Sequence, residues 1–354
     1  MRTNSLFPIL QAQPIGLVRM AADSEHADHG HDVEFRTLET RSILTKSVSK
    51  RQLWMAYSIN PYRGCEFGCR YCYARYTHGF MAGPGAEGAN AELADPESFE
   101  RKIFIKQNAA WLLEQELRKV GDAREIALGT ATDPYQPIER RAKVTRSLLE
   151  VFARKEGLAL GIVTKSTLIE RDIDLLQKIA ERNTLVLHIT ITTAEIKLAR
   201  LLEPRAPRPD LRLETVRRLR DAGLVTGILC CPLMPGINDS AAAIDRMAAR
   251  AAEAKASFFA AQPLFLKSCS RPTFLSFVRE HFPALQADYA ERFNGRDFAE
   301  GPYKRLLAAR VSAACRKHGL AERSSDALLT RDVGEGKKPV ASVPAPRQAM
   351  LFAS

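Results

Sequence analysis

Six short apolar runs, each followed by turn residues and then a helical period, constrain this chain more than any other feature of it. The runs are 55–59 (MAYSI), 125–130 (EIALGT), 158–164 (LALGIVT), 184–191 (TLVLHITI), 224–230 (LVTGILC) and 256–262 (ASFFAAQ). Helical segments lie between them. In NAAWLLEQELRKV (108–120), Trp111, Leu112, Gln115 and Lys119 fall on successive turns, with Leu113 and Leu117 beside them. RDIDLLQKIAERN and RLETVRRLRDAG behave alike, and the second ends at Gly223, a C-cap signal. Alternating strands and helices demand parallel strands joined by crossover helices. Six such units predict an α/β fold, either an open sheet or a partial (β/α)6 barrel. In both, ligands gather in the loops that leave the strand ends.

That rule orders the chemistry-bearing motifs along one rim. NPYRGCEFGCRYCYAR (60–75) follows the first strand, ATDPYQPIE the second, Lys165 and Ser166 the third, and CPLMPGIND the fifth. The first of these holds three of the chain's seven cysteines, Cys65, Cys69 and Cys72, within eight residues. The remaining four, Cys230, Cys231, Cys269 and Cys315, are more than 150 residues away. An odd count with one tight cluster is no disulfide framework. It fits a reducing compartment in which cysteines serve metals or catalysis, hence a cytoplasmic protein. Three thiolates without a near fourth suit a [4Fe–4S] cluster with one iron left open, since thiolates are the usual cluster ligands and four the usual number. The alternative is a structural zinc site completed by a distant Cys or His. Gly64 and Gly68 permit close backbone approach, Pro61 stops the strand, and Arg63 and Arg70 offset thiolate charge. Tyr71 and Tyr73 bracket the last cysteine and can pack on a flat aromatic ligand.

CEFGCRYCY resembles the C-x3-C-x-aromatic-C signature of the radical S-adenosylmethionine (SAM) superfamily. The wider stretch YSINPYRGCEFGCRYCYAR, with TDPYQPIE and TKSTLIERDIDLL downstream, resembles the spore-photolyase-like subfamily, over about residues 40 to 320. The resemblance implies a partial (β/α)6 barrel of the radical SAM type. It implies that Cys65, Cys69 and Cys72 hold three irons of a [4Fe–4S] cluster while SAM chelates the fourth. It implies reductive cleavage of SAM to methionine and a 5′-deoxyadenosyl radical that takes a hydrogen atom from substrate, with electrons from a flavodoxin- or ferredoxin-like donor. Tyr71 matches the aromatic position near the adenine, with Tyr73 beside it. Thr132 or Asp133 would meet the SAM ammonium, although an Asp before Pro also simply forms turns. Lys165, beside Ser166, would meet the SAM carboxylate, and Thr190 and Thr192 would lie near the ribose. Spore photolyase uses a cysteine hydrogen donor after its second strand. Here Thr130 stands about where it would fall, so repair of a thymine dimer is not implied. Cys230 and Cys231 are further thiol candidates, but adjacent strand residues point to opposite faces, so at most one faces the interior.

The formal net charge of +11 favours a polyanionic partner, nucleic acid first, with basic clusters at 139–146 (ERRAKVTR) and 217–223 (RRLRDAG). DNA repair or modification is therefore the leading expectation. A radical enzyme acting on protein or a small molecule, and a non-catalytic Fe–S redox sensor, are the alternatives. Residues 1–45 show no sustained period and read as a flexible extension; their His26, His29 and His31 could bind a metal but lack an evident rigid frame. The core domain is expected over 46–320. The tail 321–354 reads as a disordered Pro-rich linker ending in RQAMLFAS, where Gln348, Leu351 and Phe352 resemble a sliding-clamp-binding peptide. No apolar run approaches the ~20 residues that span a bilayer, and the first twenty residues do not read as a secretory signal.

Overall fold

The structure is a computed structural model, described here for residues 16–30, 32–46, 57–83, 90–120, 125–298 and 301–321. Its strands, in chain order, begin with β1 (His26–Gly30), β2 (Val33–Thr37), β3 (Thr45–Lys46), β4 (Tyr57–Ile59), β5 (Tyr62–Arg63) and β6 (Lys102–Ile105). They continue with β7 (Glu125–Leu128), β8 (Ala159–Thr164), β9 (Thr184–Thr190), β10 (Thr226–Leu233) and β11 (Phe259–Pro263).

The main sheet runs β11-β10-β9-β8-β7-β4-β3. Its six strands β4 and β7–β11 are parallel, and β3 adds an antiparallel edge. These six are the six runs predicted from sequence. Its edge strands, β11 and β3, do not pair with each other, so the barrel is partial and stays open. The reason for the curl lies in the two faces. Leu160, Ile162, Leu187, Ile189, Ile228 and Phe259 face outward and pack on helix residues such as Leu148, Leu176, Val216 and Met247. Val163, Val186, Leu229, Phe258 and Ala260 form a second cluster on the inner face. Gly227 is required there, since a Cβ would lie 2.4 Å from the Phe258 ring.

The helix Pro209–Asp221 ends as expected, with Gly223 at φ +82° and Leu224 N donating to Leu219 O at 3.0 Å. A helix not anticipated from the periodicity, Gly301–Lys317, sends Leu307, Val311 and Ala314 into the main core.

The N-terminal stretch departs from the expected flexible extension, and the folded part starts before residue 46. Gly16–Ala22 is helical, β1 and β2 form an antiparallel pair, and β2 lies parallel to β6 in a second sheet of order β1-β2-β6-β5. Burial drives it: Val33, Phe35 and Ile43 enter the main core, and Ala21 and Leu38 pack with Phe104. His26 and His29 fall in β1, and His31 lies outside the described residues, as do Gln348, Leu351 and Phe352. Among the described residues no helix is long and apolar enough to cross a membrane.

Candidate cofactor and metal site

The cysteine loop leaves β4 and is pressed against neighbouring backbone. Gly64 sits at φ +80°, and a Cβ there would lie 2.5 Å from Lys102 O. Cys65 N donates to Phe99 O at 2.9 Å. The loop after β7 grips it from the other side through Gln136, whose Nε2 donates to Gly64 O at 3.1 Å and whose Oε1 accepts from Glu66 N at 2.9 Å. Glu66 answers by accepting from Ile138 N at 2.7 Å. Arg75, 1% exposed, donates to Cys69 O at 3.2 Å while paired with Glu100 at 2.6 Å. Ser270 Oγ donates to Cys72 O at 2.6 Å. The backbone on each side of the three thiols is therefore held by these contacts.

All seven cysteines are free of disulfides. Burial pushes the Cys65, Cys69 and Cys72 thiols up, Cys69 to about 12. Mutual charge adds to this, Cys69 acting on Cys65 and Cys72 on Cys69, so the three lie within electrostatic reach of one another. Such thiols ionise only where a cation compensates them. Among the described residues no group of three or more His, Cys, Asp or Glu side chains is disposed to hold a single metal ion. An iron–sulfur cluster distributes its thiolates over separate irons, and three thiols on a glycine-relieved loop are a donor set of that kind.

Lys165 lies beside this loop, at the end of β8. Its Nζ stands 5.8 Å above the Tyr71 ring and has no hydrogen bond or ion pair among the described residues. Burial pulls its pKa down, but the fields of Cys69, Glu203 and Asp133 outweigh it, and the net shift is upward. The ammonium stays charged and open to an anionic group such as a carboxylate.

The other residues expected at the site are placed as follows. Tyr71 is buried, and its hydroxyl donates to Glu203 and lies 2.9 Å from Thr192 Oγ1. Thr192 Oγ1 in turn donates to Glu203 Oε1 at 2.7 Å. Glu203 Oε2 meets Arg212 Nη2 at 2.5 Å, off the line of an N–H bond, so this is an ion contact; both side chains are 1% exposed. Arg212 also donates to Thr190 O at 2.9 Å, and Thr190 is buried. Asp133 makes a latch: Oδ1 accepts from Thr164 Oγ1 at 2.6 Å and Tyr135 N at 2.9 Å, and Oδ2 from Lys165 N at 2.7 Å. Its carboxylate is thus a turn and strand-end anchor. Thr132 donates to Tyr62 O at 3.3 Å, and Ser166 Oγ caps the following 3-10 helix through Leu168 N at 3.2 Å. Tyr73 is 40% exposed at the mouth and donates to Thr130 O. Of the adjacent cysteines, Cys230 belongs to the outward core, while Cys231 packs with the inner-face cluster.

Sequence reasoning missed Glu203, Arg212, Gln136, Arg75 and Asn238. Asn238 donates to Thr192 O at 2.9 Å and accepts from Met234 N at 2.6 Å, folding CPLMPGIND around the end of β9. Gln136 lay within a motif already singled out, whereas Glu203 and Arg212 carry no local signal. Part of each basic cluster is held in ion pairs. Arg146 pairs with Asp172 at 2.6 Å and Asp174 at 3.1 Å, and Arg217 and Arg218 pair with Glu214 at 2.7 and 3.1 Å.

Comparison with known proteins agrees with this geometry. The model of the radical SAM superfamily matches residues 59–248. An uncharacterised protein of Mycobacterium tuberculosis is 31% identical over 311 residues, covering 87% of each chain. An uncharacterised protein of Methanocaldococcus jannaschii is 27% identical over 183 residues, 52% of this chain and 62% of that one. In fold, the chain is similar to spore photoproduct lyase complexed with dinucleoside spore photoproduct, with a TM-score of 0.59 at 15% identity over 82% of this chain and 81% of that one. The same lyase with bound AdoMet and the dinucleoside superposes with a TM-score of 0.58 at 13% identity over the same shares. The matched stretch 59–248 takes in the cysteine loop and the parallel strands β7 to β10, and the chain belongs to the radical SAM superfamily.

Proposed function

We propose that this chain is an enzyme that binds a [4Fe–4S] cluster through Cys65, Cys69 and Cys72, binds SAM beside it, and removes a hydrogen atom from nucleic acid. One observation carries the reading: three free thiols on a glycine-relieved loop, Cys69 buried and Cys65 and Cys72 half-buried, lie beside the half-buried ammonium of Lys165, which makes no hydrogen bond or ion pair among the described residues. When bound, the reduced cluster and SAM supply methionine and a 5′-deoxyadenosyl radical, a chemistry that belongs to the cofactors.

The chain's own residues bind, orient and exclude water. Lys165 takes the carboxylate of SAM as a charge-assisted pair. Tyr71, clamped by Glu203 and Thr192, presents a fixed ring rather than a mobile one. Asp133 and Ser166 act one step back, holding the strand end from which Lys165 projects. Thr132 and Tyr73 fix the loop after β7. Thr190 and Thr192 line the end of β9, where a ribose is accommodated. An external flavodoxin- or ferredoxin-like protein delivers the electron. We place the enzyme in the cytoplasm, where the seven free cysteines stay reduced.

Nucleic acid as substrate is supported by the charge of +11 and by the fold shared with a lyase solved with a dinucleoside. The test is anaerobic reconstitution with dithionite, SAM and deuterium-labelled DNA, RNA or nucleosides. Label transferred into 5′-deoxyadenosine from a nucleic acid supports the reading. 5′-Deoxyadenosine formed with no label from any of them redirects it to protein or small molecules. No 5′-deoxyadenosine at all leaves a redox sensor.

A further inference from the structure

At the mouth beside Cys72 lies a group of aromatic rings and lysines that no comparison assigns, of which Phe265, Lys267, Phe298 and Lys304 fall beyond the matched stretch 59–248. The Tyr73 ring stands 5.9 Å from that of Phe265, and Phe265 stacks on Phe298 at 4.4 Å with 20° between planes. The stack is built on backbone, since Phe265 and Phe298 form an antiparallel bridge. Lys267 Nζ lies 4.2 Å from the Tyr76 ring centroid and 5.8 Å from that of Phe265, and Lys304 Nζ lies 4.9 Å from that of Phe298. Neither ammonium has a carboxylate partner among the described residues. This contrasts with Arg146, Arg217 and Arg218, all held in ion pairs. Ser270, three residues past Lys267, bonds Cys72 O at 2.6 Å, so the group is tied directly to the cysteine loop.

We infer that Phe265, Phe298, Lys267 and Lys304, with Tyr73 and Tyr76, form a platform for single-stranded nucleic acid. The inference rests on the proposed substrate class and adds its form and its docking surface. Rings interleaved with unpaired cations match a nucleotide in both parts: a base stacks on a ring and a phosphate takes the ammonium. A duplex hides its base faces, leaving only phosphates and base edges to contact. An acidic peptide would answer the lysines but leave the ring stack unused.

The test is fluorescence anisotropy of a fluorescein-labelled oligo(dT) of about a dozen nucleotides with the full, anaerobically reconstituted chain. Expected is binding tighter than to a duplex of equal length. Lys267→Ala and Lys304→Ala should each reduce the slope of log K against log salt by about 0.7. Phe298→Leu should weaken binding about 5- to 100-fold at constant salt. The surface lysine variants keep the test open if the Phe298 variant fails to fold. Absence of oligonucleotide binding, preference for duplex or for poly-glutamate, or a salt slope unmoved by both lysine variants would overturn the inference. The assay needs no turnover. Failure of SAM cleavage with intact oligonucleotide binding would count against the proposed function alone, and the reverse outcome against the platform alone.

Discussion

Replacing Arg212 by Met is expected to destabilise the chain in a way that depends on pH. Arg212 and Glu203 are each 1% exposed and meet at 2.5 Å. Removing one partner of such a pair leaves an uncompensated buried charge, at a cost of about 3–5 kcal/mol. Two carbonyls, Thr190 O at 2.9 Å and Pro207 O at 2.7 Å, also lose their donor. Lys165 still faces Glu203 and keeps the loss toward the lower end of that range. A loss of that size lowers Tm by something on the order of 10 °C. In the native chain burial pushes the Glu203 carboxyl up, but Arg212 and Lys165 outweigh it and the net shift is downward. Its contribution is therefore present above the unfolded carboxyl value of about 4.3 and is lost as pH falls through the lower folded value. Without Arg212, burial prevails and the folded value rises above 4.3, so the variant loses stability as pH climbs from there to the raised value. The gap between the two proteins should be widest near about pH 8 and narrow toward about pH 5. Thermal melts of both proteins across that range measure it, and Glu203→Gln added to Arg212→Met should recover much of the loss. A Tm drop below about 2 °C, or a gap that does not change with pH, would refute the reasoning.

Gln136→Ala removes both bonds to the cysteine loop, so the iron-to-protein ratio after reconstitution should fall while the far-UV circular dichroism stays native. Gly64→Ala forces a Cβ to within 2.5 Å of Lys102 O at φ +80°, a strain of at least about 1–2 kcal/mol, and should cost more iron than Gln136→Ala does. Lys165→Met should weaken SAM binding about 10- to 100-fold, in line with a charge-assisted bond of about 1.5–3 kcal/mol, with iron content retained; calorimetric titration of the loaded protein with SAM and a colorimetric iron assay measure the two. His78 is buried with Nε2 2.9 Å from Lys102 O, and burial pushes its pKa down to about 4. Stability should therefore fall as pH drops from about 6.5 toward 4, by up to roughly 3 kcal/mol, and His78→Gln should flatten that acid limb in pH-dependent melts.

The six barrel strands were legible because each is an apolar run long enough to show against its flanks, and Gly223 marked a helix end through a requirement only glycine meets cheaply. β1 and β2 were not, because HADHG and VEFRT break their apolar positions with charged and polar residues, and together with β6 they take their identity from pairing with one another. Phe35 and Ile103 look like stray apolar residues until the second sheet aligns them. At the site, the cysteines, Tyr71 and Lys165 announced themselves by spacing and by position after a strand. Glu203 did not, since it reaches Tyr71 across 132 residues of chain. Asp133, Thr132 and Ser166 stood out as polar residues on the rim, but only coordinates show that their oxygens are already engaged with backbone and strand ends.

The unpaired edges of the main sheet, β11 and β3, bear on how a guest can arrive. A closed cylinder is entered from its ends, and whatever reacts inside must fit the bore. Here the sheet does not close on itself, and with the nucleic acid proposed as substrate a single unit would lie against the inner face while the rest of the polymer stayed outside. For such a substrate, length would set no limit, and selection would fall to the side chains that border the opening.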